Sequence, residues 1–332
     1  MAITTCSDQY IRKIGQTVVS CTESKRQLGV LLSDKSNFIV QRSPEWYKAR
    51  EGTLTASTFY DICVTRGATA AKIVNEKMYP DMVRSYKSVY GKNHSYALFH
   101  GCRCESVILP YYEWMTGTKV HNFGLVKSKR APYVAASPDG INDLGVMVEF
   151  KCPVSRDIIP GKVPVKYLAQ IFGQLYSCEL KYCDYFEAVI IRMHGEKAWL
   201  GFTTKQWFQK KTILMFTINT DNEVDDALNW TADFNQTPDE MIEAAAFEFD
   251  RRSLGLKDNE FIEIYYCIVN EVNHVLVYDK NNVMEKDMLP RIKEVADLIH
   301  KHSSEKTLVK PLDKLSKIKF DHDLEVDCKT PR

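Results

Sequence analysis

The sequence predicts an α/β fold, because stretches with helical periodicity alternate with short strand-like segments. Helices are predicted near 96–115 and 165–180, and strands at 133–137 and 146–152 between them. The 332 residues are 45% hydrophobic and 26% charged, which is ordinary for a globular protein. A chain of this length can form one large domain, or a core with a second unit packed on it.

The first elements are helical. Residues 1–40 predict one or two helices, and Ser43 followed by Pro44 has the residue types of an N-cap and a first helical position. Trp46 and Arg50, four residues apart, should share one face of this helix. The hydroxyls of the segment 55–57 then suit the start of another helix.

Glu105 stands out in the predicted 96–115 helix. Leu98, Cys102, Leu109 and Tyr112 recur with helical period, and Glu105 falls within this apolar stripe. A carboxylate on a core-facing stripe is costly unless a partner compensates its charge. The position therefore predicts a cationic partner for Glu105.

Two strands and a helix follow. The strands at 133–137 and 146–152 are predicted to be joined by a turn at 142–145. Side chains alternate along a strand, so Glu149 and Lys151 should lie on one face of the second strand, with Met147. The helix at 165–180 should direct an apolar face inward, formed by Leu168, Ile171, Phe172 and Leu175.

The pattern after 187 is less regular. Strands are predicted at 187–193 and 198–202, and a hairpin over 261–278. Further helices are predicted near 205–218, 238–250 and 286–302. No motif of catalytic residues is found after 205.

The candidate chemistry lies around Asp139, Glu149 and Lys151. Magnesium prefers oxygen ligands and commonly needs only one or two carboxylates together with substrate phosphate. Asp139 and Glu149 can converge on one ion, and the Lys151 ammonium can orient a water molecule and offset charge on a phosphate. Alone, this spacing also fits a solvated hairpin with an ordinary charge pair. Glu105 and Gln170 strengthen the catalytic interpretation because both can point to the same centre.

A second group of residues has the chemistry of an anion site. Arg50 offers a guanidinium fork, and Ser57 offers a hydroxyl near a helix N-terminus. Together they could bind a phosphate.

These motifs resemble, in order, those of the lambda-exonuclease-type (YqaJ-like) viral recombinase family. The segment 50–57 resembles its phosphate-binding segment, and 101–105 its Gly-x-x-x-Glu helix. The segments 137–140 and 149–157 resemble its catalytic hairpin, and 167–170 its following helix. The resemblance covers roughly 40–195.

The resemblance implies a PD-(D/E)xK nuclease core, which is a mixed central sheet flanked by helices. It implies two Mg²⁺ ions, with Mn²⁺ fitting equally well, held by Glu105, Asp139, Glu149 and the carbonyl of Phe150. The implied catalytic residues are Asp139, Glu149, Lys151 and Gln170. The implied 5′-phosphate site is formed by Arg50, Thr55 and Ser57.

The resulting hypothesis is a 5′→3′ exonuclease that degrades one strand of double-stranded DNA from its ends. An endonuclease or RNase on the same core, or a non-catalytic DNA-end-binding module, are the alternatives. The expected organisation is a helical extension (1–40), a nuclease core (41–204) and a C-terminal extension packed on the core (205–332). The family also implies a single-strand annealing protein as partner and a homotrimer.

Composition limits the expected ligands and the expected cellular location of the protein. The net charge of +1 gives no basic surplus for nucleic-acid binding. No apolar run is long enough to cross a bilayer and no signal peptide begins the sequence, so an intracellular location in cytoplasm or nucleus is expected. The ten cysteines lack zinc-site spacing and are interpreted as free thiols. His100 is interpreted as structural.

Overall fold

The computed structural model describes residues 21–41, 43–64, 67–78, 95–193, 195–202, 210–219 and 229–305. Ten strands form two sheets in these ranges. The strands are β1 (Leu54–Thr55), β2 (Val120–His121), β3 (Val126–Lys127), β4 (Val134–Ala136), β5 (Gly140–Asn142), β6 (Met147–Lys151), β7 (Cys183–Met193), β8 (Lys210–Asn219), β9 (Trp230–Thr231) and β10 (Glu260–Val277).

Nine α-helices accompany the strands in the described part of the chain. They are α1 (Cys21–Ser33), α2 (Pro44–Ala49), α3 (Phe59–Val64), α4 (Gly67–Met78), α5 (Ser95–Thr116), α6 (Val165–Cys178), α7 (Glu196–Gly201), α8 (Pro238–Ser253) and α9 (Leu289–Glu305). Short 3₁₀ turns span Lys35–Phe38 and Ala56–Thr58, and a π-helical turn spans Met284–Met288.

The larger sheet has seven strands in the order β2-β5-β6-β7-β10-β8-β9. Strands β6 and β7 are parallel, whereas β10 is antiparallel to both of its neighbours. The smaller sheet has the order β1-β4-β3, with β1 parallel to β4. Both sheets are therefore mixed.

Helices cover both faces of the larger sheet. On one face, α6 packs with α3 and α9 over Met147 and Tyr185. On the other, α5 packs over Val148, Phe150 and Phe186. The predicted fold class, a mixed sheet flanked by helices, is confirmed. The opposite facing of Met147 and Val148 also matches the predicted alternation along β6.

The sequence locates several elements well. Ser43 caps α2 by accepting the Trp46 amide N–H at 3.1 Å. The predicted inward residues of α6 are all buried. Helices α8 and α9 match the stretches predicted near 238–250 and 286–302. In the N-terminal 40 residues, α1 agrees with the prediction, while 1–20 lie outside the described residues.

Three predicted elements are wrong. Residues 198–202, predicted as a strand, fall mainly in α7. The described part of the helix predicted at 205–218 belongs to strand β8, whose Thr212, Ile213, Thr217 and Ile218 favour extended structure. The hairpin predicted at 261–278 is one long strand, β10. Its pairing with β7 has a register shift between Val269 and Glu271.

The sheet continues across the predicted core boundary at 204. Strand β10, from the C-terminal region, lies between β7 and β8 and pairs with β7 along the whole length of β7. Asn273 of β10 is fully buried beside Glu187 of β7. The C-terminal region thus supplies a central strand of the sheet that carries the candidate site. No helix of the described ranges combines the length and apolar character needed to span a membrane.

Candidate active site

The site is built around the buried carboxylate of Glu149, which is 0% exposed. Its strand β6 directs this side chain toward α6, as the strand alternation predicts. The Lys151 ammonium donates to Glu149 Oε1. Gln170 Nε2 donates to the same oxygen at 2.6 Å, and Gln174 Nε2 donates to Oε2 at 2.7 Å. Three donors therefore fix one carboxylate, as a buried charge requires.

Asp139 is held beside this carboxylate. It precedes β5, and its Oδ2 accepts the Phe150 amide N–H at 2.8 Å. Burial raises the pKa of Asp139 well above its usual value, and the charges of Glu149 and Glu105 raise it further, while Lys151 opposes them. The effect of the Glu149 and Glu105 charges on this pKa indicates that the three predicted acidic residues lie near one another.

Lys151 is bound to two of the oxygens expected to hold a metal. Its Nζ contacts Glu149 Oε1 and also the Phe150 carbonyl oxygen, at 3.1 Å. Burial alone would lower the pKa of Lys151, but the Glu149 and Asp139 carboxylates outweigh it and raise the pKa. The Lys151 ammonium thus lies where the oxygens of Glu149 and Phe150 would also attract a metal cation.

Glu105 differs from its predicted setting. The buried face of α5 is formed by Cys104, Val107, Ile108 and Tyr111, whereas Glu105 is exposed. The prediction that Glu105 faces the core is therefore wrong. Its position on α5 next to the buried face nevertheless lets its charge act on Asp139.

The residues of this site suit a divalent cation because they offer oxygen donors. They do not form a complete metal-binding cluster of side chains among the described residues. Within the described ranges, no three His, Cys, Asp or Glu side chains are gathered into a metal-binding group. Asp139, Glu149 and the Phe150 carbonyl supply hard oxygen ligands. Burial, and then repulsion from the neighbouring carboxylates, raises the pKa of Asp139, and a bound cation would relieve that repulsion.

The predicted phosphate residues also come together. Arg50 Nη2 donates to Thr55 Oγ1 at 3.0 Å, and Thr55 Oγ1 lies 3.4 Å from Ser57 Oγ. The Arg50 guanidinium stacks over the Trp46 ring, 4.0 Å from its centroid. This contact fixes the direction of the guanidinium.

Lys77 joins this group, although no motif indicated it. Its Nζ donates to the Arg50 carbonyl oxygen at 3.5 Å. Burial, with the nearby Arg50 charge, lowers the pKa of Lys77 to about 8 against the opposing effect of Glu76. Among the described residues, neither Arg50 nor Lys77 forms an ion pair with a carboxylate. Two adjacent cations supply the kind of charge that an anion site needs.

The two groups of residues share one scaffold. Trp46, under Arg50, donates through Nε1 to Ser137 Oγ at 3.1 Å, two residues before Asp139. The segment after Thr55 packs on Gly173 of α6, the helix that carries Gln170 and Gln174. The anion site and the carboxylate site are therefore held in a fixed relation.

Sequence reasoning missed Gln174 and the support of the loop after β6. Gln174 lies four residues after Gln170, so helical spacing could have indicated it. Arg156 of that loop pairs with buried Glu187, which also accepts from Tyr185 OH at 2.7 Å. No local pattern links Arg156 to Glu187, because they belong to different elements.

Comparison with known proteins bears on this arrangement. Residues 45–181, less than half of the chain, match the family model of the YqaJ-like viral recombinase domain. The predicted family resemblance is thereby confirmed. The matched range includes every predicted site residue.

A viral relative matches part of the chain. An uncharacterized protein of Acanthamoeba polyphaga mimivirus is 27% identical over 172 residues, which are 45% of this chain and 29% of that protein. The chain therefore covers less than a third of the length of this curated relative.

Two solved structures are similar over most of the chain. The crystal structure of an alkaline exonuclease from Laribacter hongkongensis has 16% sequence identity and a TM-score of 0.44, and covers 80% of this chain and 96% of that one. The same exonuclease in complex with dAMP has 17% identity and a TM-score of 0.43, with the same coverage.

Proposed function

We propose that this YqaJ-like protein is a divalent-metal-dependent exonuclease that degrades the 5′-terminated strand of duplex DNA. The observation that carries the proposal is the joint placement of two sites. One is the Glu149–Lys151–Gln170 group beside Asp139, and the other is the Arg50–Thr55–Ser57 anion site. The first has the chemistry for phosphodiester hydrolysis, and the second can hold a terminal phosphate.

Each residue then has a separate task. Arg50 binds the 5′-phosphate through its guanidinium fork, with Thr55 and Ser57 adding hydroxyl groups. Lys151 orients the attacking water and offsets charge that develops on the scissile phosphate. Gln170 and Gln174 hold the Glu149 carboxylate in place. The end of one strand is thereby fixed relative to the bond that is cut.

Asp139, Glu149 and the Phe150 carbonyl would hold Mg²⁺ or Mn²⁺, and Glu105 would extend the site toward a second ion. When bound, the metal supplies Lewis-acid stabilisation of the phosphate oxygens. The oxygen-only donors favour these hard cations over zinc.

Two expectations about partners belong to this function. Removal of the 5′ strand leaves a 3′ single strand, which is the substrate that an annealing protein needs. A ring of three chains would let the enzyme enclose the duplex, and light scattering of the purified protein would give the mass expected for a trimer.

The test uses a linear duplex with a 5′-phosphate on one strand, incubated with and without Mg²⁺. We expect metal-dependent loss of the phosphorylated strand, reduced at least about 100-fold in Lys151→Ala. Lys293→Ala is the matched control, since Lys293 is an exposed lysine that pairs with Asp297 at 2.7 Å.

A covalently closed circular duplex separates the alternatives. Cleavage of the circle would favour an endonuclease, and digestion of structured RNA would favour an RNase. DNA binding without cleavage under any divalent metal would contradict nuclease activity and favour an end-binding module.

A further inference from the structure

Lys77 has the surroundings of an amine nucleophile, a property that the proposed hydrolysis does not use. It lies in the last turn of α4, where its Nζ donates to the Arg50 carbonyl oxygen at 3.5 Å. Its side chain is half-buried and so remains partly open to a ligand. Burial, together with the Arg50 charge, lowers the pKa of Lys77 to about 8. At pH 7 about one Lys77 side chain in ten is therefore a neutral amine, against about one in three thousand for an ordinary lysine.

Comparison with two other lysines shows what sets Lys77 apart. Within the described ranges, burial lowers the pKa of two lysines, Lys77 and Lys211. Lys211 lies on β8, where its Nζ donates to the Leu200 carbonyl oxygen at 3.0 Å. Lys151, in contrast, is paired with the Glu149 carboxylate and stays an ammonium. Lys77 is the lysine of lowered pKa that contacts the candidate anion site.

The neighbouring anion site determines which ligand the amine would meet. Arg50 Nη2 donates to Thr55 Oγ1 at 3.0 Å, and Lys77 Nζ contacts the backbone of the same arginine. A phosphate bound there brings the atoms next to it close to an amine. In the proposed function, this phosphate is the 5′ end of a DNA strand. Lysine amines next to another cation react with carbonyl carbons, so the matching DNA end is one that carries an aldehyde.

A 5′-terminal abasic sugar has both groups. It keeps the 5′-phosphate, and loss of its base leaves an aldehyde at C1′ when the sugar ring is open. We propose that Lys77 removes this terminal sugar phosphate from DNA by forming an imine with the C1′ aldehyde. This activity rests on the proposed function, because the anion site must bind a 5′ end. It needs neither the Glu149 group nor a metal ion, since the imine itself withdraws the electrons that the reaction moves.

The reaction requires no reactant besides DNA and water. The Lys77 nitrogen attacks C1′, and the adduct loses one water to give the imine. The imine acidifies the C2′ hydrogens, one of which passes as a proton to solvent. The electron pair left on C2′ forms a C2′–C3′ double bond, and the C3′–O bond breaks. The oxygen leaves with the phosphate of the next nucleotide, so the shortened strand ends in a 5′-phosphate. One water then hydrolyses the imine, which releases the unsaturated sugar phosphate and restores the amine.

The experiment uses the full-length protein in EDTA, which stops metal-dependent hydrolysis, and a duplex with a 5′-terminal abasic sugar phosphate. Sodium borohydride reduces the imine to a stable amine, so the intermediate becomes a covalent protein–DNA adduct. We expect an adduct whose mapped peptide carries the sugar phosphate on Lys77. Without borohydride, we expect a strand shortened by the sugar, with a 5′-phosphate that a ligase can join. A duplex with an intact 5′ nucleotide should give neither product.

Two variants test the assignment to Lys77. Lys77→Arg keeps the positive charge but cannot form the imine, so it should give no adduct. Lys211→Arg is the matched control, since it removes the other lysine of lowered pKa, and it should give the adduct as the wild type does. Binding of the same duplex in EDTA is measured for each variant, which separates a lost adduct from lost binding. If Lys77→Arg does not bind, the mapped peptide of the wild type decides.

Three results would overturn the proposal: an adduct on another lysine, an adduct undiminished in Lys77→Arg, or no adduct at all. Failure of the proposed function has a different signature. A wild type that forms the Lys77 adduct but cuts no DNA with Mg²⁺ would contradict the nuclease and leave the removal of the sugar standing. A wild type that cuts ordinary 5′ ends but forms no adduct would do the reverse.

Discussion

At the scale of single residues, Glu149 shows how the site is held. Its carboxylate is fully buried, yet it accepts hydrogen bonds from Lys151, Gln170 and Gln174. Two of the three donors come from α6, so the position of the carboxylate depends on that helix. Gln174 is the buried one of the two glutamines, so water cannot readily replace its hydrogen bond to Glu149.

Gln174→Ala should therefore lower both stability and turnover. Loss of its donor leaves Glu149 Oε2 without the 2.7 Å hydrogen bond. The expected cost is about 1–3 kcal/mol of unfolding free energy. Because Gln174 is buried and holds Glu149, kcat should fall while KM stays near the wild-type value.

Urea unfolding and steady-state cleavage measure the two effects. Gln27→Ala is the matched control, because Gln27 Nε2 donates to the Cys178 carbonyl oxygen at 2.9 Å, at the far end of α6. It should lose stability without a change in kcat. Equal loss of kcat in both variants would show that Gln174 acts only through general stability.

Lys77 predicts a pH-dependent preference for a 5′-phosphate. Its pKa is lowered to about 8, so the ammonium is charged below that pH and neutral above it. The second pKa of the terminal phosphate is about 6, so the phosphate stays dianionic between about pH 7 and pH 9. The ratio of kcat/KM for phosphorylated over unphosphorylated ends should fall about 10-fold across this range, as one charged contact is lost.

The ratio cancels titrations that both substrates share, and kcat/KM reports the free enzyme. Lys77→Arg keeps its charge throughout the range and should give a flat ratio. A flat ratio for the wild type, or a fall in Lys77→Arg equal to that of the wild type, would exclude Lys77 as the titrating group.

At the scale of elements, contact between α6 and the segment after β1 joins the two sites. A Cβ added at Gly173 would meet Phe59 Cε2 at 2.4 Å and Ala56 Cβ at 3.0 Å. Phe59 is fully buried and cannot move aside. Gly173 therefore permits the close approach that fixes Thr55 and Ser57 relative to Gln170.

Gly173→Ala should push α6 away from this segment. Overpacking of this kind costs about 1–3 kcal/mol, and the 5′-phosphate preference should weaken because the anion site shifts. Gly101→Ala is the control, since a Cβ there meets nothing within 4 Å. That variant should gain about 0.5–1 kcal/mol in urea unfolding. A stable Gly173→Ala with unchanged preference would refute the coupling.

Most elements that carry the site could be predicted from local sequence, because each is encoded by neighbouring residues. The Ser43 cap, the alternation along β6 and the inward face of α6 need no distant partner. Tyr112 of the predicted apolar stripe of α5 is buried, but Glu105 is exposed, because apolar residues surround it on more than one face of the helix. Strand β8 was mistaken for a helix because its apolar residues fit either period.

At the scale of the whole molecule, the central position of β10 could not be predicted. Strand pairing between β10 and β7 joins residues 73 to 94 positions apart, and no local pattern specifies such a partner. Lys77 and Glu187 were missed for the same reason. Their roles arise only when distant elements meet.

Asn273 of β10 shows that this distant strand supports the site. Its Nδ2 donates to the Lys162 carbonyl oxygen at 2.9 Å and to Glu187 Oε1 at 3.0 Å. Its Oδ1 accepts the Gly161 amide N–H at 2.8 Å. The same Glu187 pairs with Arg156 in the loop that follows Lys151. One buried amide therefore anchors both ends of this loop.

Asn273→Ala should loosen the loop from within the sheet. At least one buried polar group loses its partner, which costs about 1–3 kcal/mol. Since Arg156 and Lys151 both lie near the Tyr167 ring, at 5.6 and 5.1 Å from its centroid, cleavage should fall about 10-fold or more while the chain stays folded. Asn235→Ala should change neither quantity, because Asn235 is exposed and its side chain donates to Asp233 within the same turn. Urea unfolding together with the cleavage rate distinguishes the outcomes. A rate unchanged by Asn273→Ala, despite lost stability, would mean that the C-terminal strand supports the fold without positioning the site.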